Sequence, residues 1–230
     1  MSDERRRMAR AVRQHAEGLR RLGVETVPAP RRPAAPGATP GAASREQRLA
    51  RLAEQIRACR RCSLFRMRIR GPVISDGTPN AKLVFVGEAP GRDENEQGVP
   101  FVGAAGQLLT KMIVAMGLRR EDIYICNVLK DRPPDNRTPL PEEVEACLPF
   151  LEQQLDIIRP QVICVLGSVA AKALLGPHIS ITKIRGGVYD YRGIALVPTF
   201  HPAYLLRNPP AKKYAWIDLK KVKSLLDKSA

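Results

Sequence analysis

Three polar residues follow short apolar segments that have the length of buried strands. Glu88 comes directly after KLVFVG, Asn127 ends IYICN, and His201 comes directly after IALVPTF. Carboxylate, amide and imidazole groups in loops that leave strands are typical of binding and catalytic sites. These three residues are therefore the first candidates for chemistry.

The loop around Glu88 can bring its backbone close to a ligand. Gly87 and Gly91 permit positive φ, and Pro90 tightens the turn, while burial would tune the carboxylate. Alone, such a loop is most often an ordinary strand-to-helix turn. The following GVPFVGAAGQLL favours a ligand site, because it is expected to expose Phe101 between two turns, where an aromatic ring can stack on a ligand.

Asn127 and His201 carry hydrogen-bonding groups at two further strand ends. The amide of Asn127 combines donors with an acceptor, the complement needed to read a nucleobase edge, although asparagine there is commonly a turn-former. His201 precedes Pro202, so we expect it to cap a helix. The dipole of that helix disfavours the imidazolium and leaves a neutral hydrogen-bond donor.

The helix predicted to begin at Pro202 ends in YLLR, and either Leu205 or Leu206 would be exposed beside Arg207. An apolar side chain next to a phosphate-binding cation is how proteins hold open a DNA stack. A leucine in a helix is ordinarily part of the core, so both interpretations remain open.

The charge and the amino terminus indicate the surroundings of the protein. The formal net charge is +15, of which residues 1–45 contribute +6, so the rest of the chain is basic as well. This balance favours a polyanionic partner, with nucleic acid more plausible than a membrane because no apolar run reaches about 18 residues. The amino terminus lacks the apolar core of a signal peptide, which predicts a cytoplasmic protein.

Residues 1–43 are predicted to be a basic, Pro/Ala-rich flexible arm, with a possible short helix over residues 5–22. Residues 44–230 are predicted to form the folded domain. Ser44 and Gln47 resemble a capping box, which would start a helix that runs to the first cysteines.

Beyond that helix, short segments that are apolar throughout alternate with amphipathic helical patterns. This order predicts an α/β fold with a parallel sheet covered on both faces. Right-handed crossovers then bring Glu88, Asn127 and His201 to the carboxyl edge of the sheet, where α/β proteins bind ligands.

Five motifs resemble those of the family 4 uracil-DNA glycosylases, the iron–sulfur branch of that superfamily. GEAPG, PFVGAAGQLL, NVLK followed by RPPDNR, the RG pair at 185–186, and HPAYLL occur in the family's order and approximate spacing over about residues 50–225. The resemblance implies a single domain, a three-layer α/β/α sandwich around a four-stranded parallel sheet. It also implies a monomeric enzyme that hydrolyses the bond between uracil and deoxyribose in DNA and so starts base excision repair.

The resemblance also implies a role for each matching residue. Phe101 would stack on the extruded uracil, and Asn127 would read O4 and N3–H. His201 would donate to O2 as negative charge builds on the base, and Glu88 would lie by the sugar. Ala89 stands where family 1 enzymes have a catalytic aspartate.

Further matches give supporting residues. The second-rank catalytic polar residues would be Glu94 and Asn136, and Gly87 would belong to the substrate-binding loop. The residues expected at the DNA are Arg132, Arg137, Leu205, Leu206 and Arg207.

The cysteines carry the one departure from the family. In a cytosolic protein the five cysteines are expected to be reduced, metal-bound or buried, and Cys164 and Cys126 lie within strand segments. Family 4 enzymes hold a [4Fe-4S] cluster with four cysteines. Cys59, Cys62 and Cys147 match three of them, whereas the third position in chain order is Asp131.

Three interpretations of this site stay open. Asp131 could ligate iron through oxygen, the site could hold a three-iron or easily lost cluster, or the remaining thiols could bind zinc or nothing. In the first two cases the cluster would be structural and would tie the basic segment around Arg60, Arg61 and Arg66 to the Arg132 loop.

Two other functions are compatible with the fold. A relative that cross-links to DNA would need a histidine in the loop after Asn127, and KDRPPDNRTP contains none. An iron–sulfur scaffold protein would be expected to lack Glu88, Asn127 or His201, and all three are present.

Overall fold

The computed structural model describes residues 43–228. The predicted arm over residues 1–43, with its possible helix, therefore lies outside the described residues, apart from residue 43 itself. Within residues 43–228, no helix is long and apolar enough to cross a membrane.

The described chain alternates strands and helices, as predicted. The strands are β1 (Asp76–Gly77), β2 (Leu83–Gly87), β3 (Tyr124–Asn127), β4 (Val162–Leu166), β5 (Tyr189–Tyr191) and β6 (Ile194–Thr199). The helices are α1 (Arg45–Ala58), α2 (Arg92–Gln97), α3 (Ala104–Ala115), α4 (Pro141–Ile158), α5 (Ser168–Leu175), α6 (Ile181–Ile184), α7 (Pro202–Arg207) and α8 (Lys212–Asp227).

These strands form one sheet in the order β1-β3-β2-β4-β6-β5. The four inner strands β3, β2, β4 and β6 are parallel, which confirms the predicted four-stranded parallel sheet. The edges β1 and β5 are antiparallel and were not predicted, because two or three residues are too few to show a strand pattern.

Helices cover both faces of the sheet. On one face, α4 and α5 pack on every second residue of the strands, such as Val84 and Val86 of β2. On the other face, α3 and α8 pack on the intervening residues, such as Leu83 and Phe85. Both faces of the inner strands are thus buried, which explains why their sequences are apolar throughout.

The first helix packs on the outside of α4, where Leu52 and Ile56 contact Phe150. Its predicted capping box is confirmed. The Ser44 Oγ accepts from the backbone amide of Gln47 at 3.2 Å, and the Gln47 Oε1 accepts from the amide of Ser44 at 3.0 Å. The cap fixes where α1 starts, and the packing on α4 carries the chain to the two cysteines at its end.

Candidate active site

A pocket of about 580 Å³ opens at the carboxyl edge of the parallel strands, and Glu88, Phe101, Asn127 and His201 all line it. The residues predicted for chemistry from three separate loops are thus brought together. The pocket is also lined by other predicted site residues: Ala89, Glu94, Asn136, Arg137 and Arg207.

The register of β2 on β3 sets the two central side chains next to each other. Gly87 and Asn127 are direct partners across the two strands. The pairing continues past the strand ends, where the amide of Val128 donates to the Gly87 carbonyl at 3.0 Å and that of Leu129 to the Glu88 carbonyl at 3.0 Å. Glu88 and Asn127 are therefore held by backbone hydrogen bonds and not only by loop contacts.

Asn127 is 1% exposed, and its Oδ1 has no hydrogen-bond partner among the described residues. A buried acceptor without a partner costs about 1–3 kcal/mol, so such atoms in folded proteins need an explanation. Gly87 does not line the pocket but makes room behind it, since a Cβ there would overlap both Asn127 Oδ1 and the Phe101 ring. The absence of a side chain at position 87 therefore leaves the space that the Asn127 amide and the Phe101 ring occupy.

The exposure of Phe101 differs from the prediction made from the sequence. It was expected to be exposed, but it is 6% exposed and packs in the core cluster with Phe85 and Leu109. Its backbone has a φ of 56° and lies against Gly106 of α3, where a Cβ would overlap the Phe101 backbone. The loop folds back onto the helix and buries most of the ring, and the ring centroid lies 5.7 Å from that of His201 at the pocket wall.

Arg120 fixes this backbone and was not recognised in the sequence. Its guanidinium donates to the carbonyls of Pro100 at 2.6 Å and Phe101 at 3.1 Å, and to Thr110 Oγ1 at 3.1 Å. It also pairs with Asp76 of β1 at 2.8 Å. Four acceptors on three parts of the chain, the Pro100–Phe101 loop, α3 and β1, thus hold Phe101 in a left-handed conformation that costs free energy in a non-glycine residue.

His201 caps α7, as predicted. Its Nδ1 accepts from the backbone amide of Ala203 at 3.1 Å, so in the neutral ring the proton is on Nε2. Burial, and then the nearby Arg207, lower the pKa of His201 to about 4. The ring is therefore a neutral donor at physiological pH, and burial is the largest cause of the lowered pKa.

Glu88 is half-buried, and burial raises the pKa of its carboxyl above the ordinary value. Glu94 is different, because its carboxylate accepts from three backbone amides, those of Gly91 at 3.1 Å, Val102 at 2.9 Å and Gly103 at 3.0 Å. Glu94 thus joins the two loops that form the pocket wall.

The loop after β3 contributes Asn136 and Arg137 to the pocket. Asn136 Oδ1 accepts from Arg132 Nε at 2.8 Å. Arg137 forms a bidentate ion pair with the carboxylate of Glu143 in α4, with distances of 2.6 and 2.9 Å. Asn136 has a φ of 54°, so the loop is held in a strained turn at the pocket entrance.

The two leucines of α7 have opposite environments. Leu205 is 1% exposed and packs with Ala211 and Ala215, so its expected place at the DNA is wrong. Leu206 is 43% exposed beside the exposed Arg207. Successive residues of a helix point about 100° apart, which is why only one of the two leucines can face solvent here.

Cys59, Cys62 and Cys147 line one small cavity together with Asp131, so the structure brings together the four residues predicted at the cluster. The carboxylate of Asp131 already has a partner: Arg68 Nε donates to its Oδ1 at 2.6 Å and Arg68 Nη2 to its Oδ2 at 2.8 Å. Arg68 is the second residue that sequence reasoning missed.

The residues around this cavity do not fit a four-thiolate [4Fe-4S] cluster, because the fourth position is a carboxylate with both oxygens bound to a guanidinium. In the part of the chain described here, no three His, Cys, Asp or Glu side chains are placed to share one metal ion. Cys126 and Cys164 lie in the core, as expected for Cys164.

The environment of Glu88 gives a prediction for stability. Because the folded pKa of Glu88 lies above the unfolded value, the folded state loses stability as pH rises from the unfolded pKa through the folded pKa. Glu88→Gln should therefore raise the melting temperature at pH 7.5 by on the order of one to a few degrees, and by less at pH 4.

The matched control is Glu145→Gln on the exposed face of α4. Thermal melts at both pH values measure the effect. An equal gain for Glu88→Gln at pH 4 and pH 7.5 would contradict the assignment of a charge-burial cost to this carboxylate.

Comparison with known proteins agrees with this geometry. Residues 74–220 match the model of the uracil DNA glycosylase superfamily. The chain is 45% identical over 189 residues to a type-4 uracil-DNA glycosylase of Thermotoga maritima, covering 80% of this chain and 98% of that protein. It is 44% identical over 185 residues to a type-4 uracil-DNA glycosylase of Archaeoglobus fulgidus, covering 77% and 92%.

A type-5 uracil-DNA glycosylase of Pyrobaculum aerophilum is less similar, with 33% identity over 155 residues, 60% of this chain and 68% of that protein. The family model, the type-4 relatives and the pocket at the carboxyl edge agree. This chain belongs to the uracil-DNA glycosylase superfamily, and within it to the type-4 branch.

Proposed function

We propose that this protein is a monofunctional uracil-DNA glycosylase that hydrolyses the N-glycosidic bond of uracil flipped out of DNA. The observation that carries the proposal is Asn127, which lines the pocket together with Phe101 and His201 and whose buried Oδ1 has no hydrogen-bond partner among residues 43–228. The product would be an abasic site, and the reaction would be the first step of base excision repair.

Recognition of uracil follows from the pocket walls. A base inside a duplex cannot reach such a pocket, so it has to be extruded, at a cost of a few kcal/mol. The Phe101 ring offers a stacking surface, worth about 1–3 kcal/mol per base. Asn127 Oδ1 can then accept from uracil N3–H while its Nδ2 donates to O4, which satisfies the buried amide.

Charge separation in the transition state would be stabilised from two sides. The departing base gains negative charge, and His201 can donate from Nε2 to its O2 because Nδ1 is held as an acceptor. The sugar gains positive charge, and the ionised form of Glu88 can stabilise that charge or hold the attacking water. Partial burial makes such a carboxylate a stronger electrostatic partner than it would be in water.

Water rather than an amine would be the nucleophile. No lysine is among the residues lining the pocket. The neighbouring Lys130 is buried behind β3, where its Nζ donates to the Asn127 carbonyl at 2.6 Å and to Gln154 Oε1 at 2.6 Å. The described part of the chain therefore places no amine where it could form a Schiff base with the sugar.

DNA would lie across the carboxyl edge of the sheet. Arg207 of α7 lines the pocket and is preceded by the exposed Leu206, and Arg137 lines the pocket from the loop after β3. We propose that Leu206 fills the space left by the extruded base, and that the basic residues contact phosphates. One chain supplies the whole pocket, so we propose a monomer that works in the cytoplasm on nucleoid DNA.

Strand cleavage tests the activity. The purified protein is incubated with uracil-containing single strands and with U:G and U:A duplexes, then treated with alkali. We expect cleavage that Asn127→Asp lowers by on the order of 10²-fold or more, because an acceptor-only side chain cannot donate to O4. The control is Asn80→Asp. Asn80 is exposed, and its Oδ1 accepts from Arg45, which lies at the start of the domain.

No cleavage of any substrate by the unaltered protein would contradict the proposal. A covalent protein–DNA species that migrates slowly on a denaturing gel would instead indicate a cross-linking protein.

Arg120 gives a second prediction, because it holds the backbone of the stacking ring. Arg120→Lys loses the forked donor set that joins Pro100, Phe101 and Asp76. Stacking acts in both the ground state and the transition state, so we expect about a tenfold loss of kcat/KM that falls mainly on KM.

The neighbouring Arg119→Lys is the matched control, since Arg119 is exposed and its ion pairs with described residues are those with the nearby Glu121 and Asp122. Steady-state kinetics on one uracil substrate separate KM from kcat. Equal KM values for the two lysine variants would show that Arg120 does not position the ring.

A further inference from the structure

Arg68 joins three parts of the chain beside the thiol cavity. Its guanidinium binds both oxygens of Asp131, which is 5% exposed, at 2.6 and 2.8 Å. It also donates to the carbonyl of Arg57 at 2.8 Å and to that of Ile56 at 3.4 Å, near the end of α1. One side chain therefore connects α1, the segment after the CxxC pair and the loop that leaves β3.

These are the parts that the thiols of Cys59, Cys62 and Cys147, with a ligand at position 131, would connect through a cluster. The thiols line a cavity of about 10 Å³, which is room for about one water molecule, so these parts of the chain already pack together without an inserted group.

Both oxygens of Asp131 already accept from Arg68, so iron would have to compete with that guanidinium for the carboxylate or share it. Arg68 and Asp131 are both largely buried, and separating a buried ion pair leaves an uncompensated charge on each partner. The carboxylate is therefore committed to Arg68 in this structure, not poised as a free ligand.

Other contacts hold the same segment against the domain without a metal. The amide of Val73 donates to the Lys130 carbonyl at 2.8 Å, and Asn95 Nδ2 donates to the Met67 carbonyl at 2.8 Å. The Arg61 guanidinium lies over the Phe150 ring of α4, 4.4 Å from its centroid.

We propose that the Arg68–Asp131 ion pair replaces the [4Fe-4S] cluster as the cross-link between the CxxC segment and the loop after β3, so that this protein folds without iron. The link matters to the site because Asp131 follows Lys130, whose ammonium holds the carbonyl of Asn127. The ion pair thus takes over the structural task of the fourth thiolate. This inference concerns folding and does not depend on the proposed activity.

Iron content is the first test. The full-length protein is purified without oxygen, reconstituted with ferrous iron and sulfide, and desalted before iron, acid-labile sulfide and visible absorption are measured. We expect well under one iron per chain, and a melting temperature that a chelator does not change. In Asp131→Cys, which frees Arg68 and supplies a fourth thiol, we expect about four iron atoms per chain.

About three or four iron atoms per chain in the unaltered protein, together with a melting temperature that falls on chelation, would overturn the proposal. That result would identify a cluster in which Asp131 is a ligand or which leaves one iron position open.

A double-mutant cycle is the second test. Arg68→Met and Asp131→Leu alone should each lower the melting temperature by on the order of 5–15 °C, because each leaves a buried charge unpaired. The double variant removes both charges and should melt within a few degrees of the unaltered protein. It also keeps the test valid if a single variant fails to fold.

The control cycle uses the exposed pair Arg92 and Glu96 of α2, changed in the same way to Met and Leu. Each control variant should change the melting temperature by about 2 °C or less. Additive effects at Arg68 and Asp131, with a double variant as unstable as the two singles predict, would overturn the proposed cross-link.

Discussion

The buried amide of Asn127 is the constraint around which the rest of the site is arranged. Its side-chain oxygen Oδ1 has no partner within the described part of the chain, a cost that folding has to offset elsewhere. Hydrogen bonds behind β3 offset this cost. Lys130 Nζ donates to the backbone carbonyl of Asn127 and to Gln154 Oε1, and Gln154 Nε2 donates to the Tyr124 hydroxyl at 2.9 Å. These hydrogen bonds fix the backbone of Asn127 and so hold its side-chain amide in place.

Burial is the main source of the electrostatics at His201 and Glu88, with a smaller contribution from the charge of Arg207 at His201. Burial keeps the His201 ring neutral, with its free nitrogen assigned by a backbone amide, and it raises the pKa of Glu88. Under the proposed function, a donor for the developing anion and a carboxylate for the developing cation would thus be in place before substrate binds. The net charge of +15 serves a different purpose, which is attraction to the DNA backbone.

Much of this arrangement is readable from the sequence because it depends on local signals. Continuous apolar runs predict inner parallel strands, and Ser44 with Gln47 predicts a helix start, and both are confirmed. Contacts between residues distant in the chain are not readable in this way. Arg68 and Asp131 are 63 residues apart, and Arg120 and Asp76 are 44 apart. The burial of Phe101 was missed for the same reason, since it depends on how its loop folds back onto α3.

The ion pair between Arg68 and Asp131 is not oxidised or reduced under cellular conditions, unlike an iron–sulfur cluster. A cluster can be dissolved by the oxidants that damage DNA, and its assembly depends on the supply of iron and on the machinery that delivers it. With Arg68 and Asp131 as the link, the amide that reads the base would keep its place under oxidative stress and in iron-poor conditions. Repair capacity would then be set by how much protein is made, independently of the metal status of the cell.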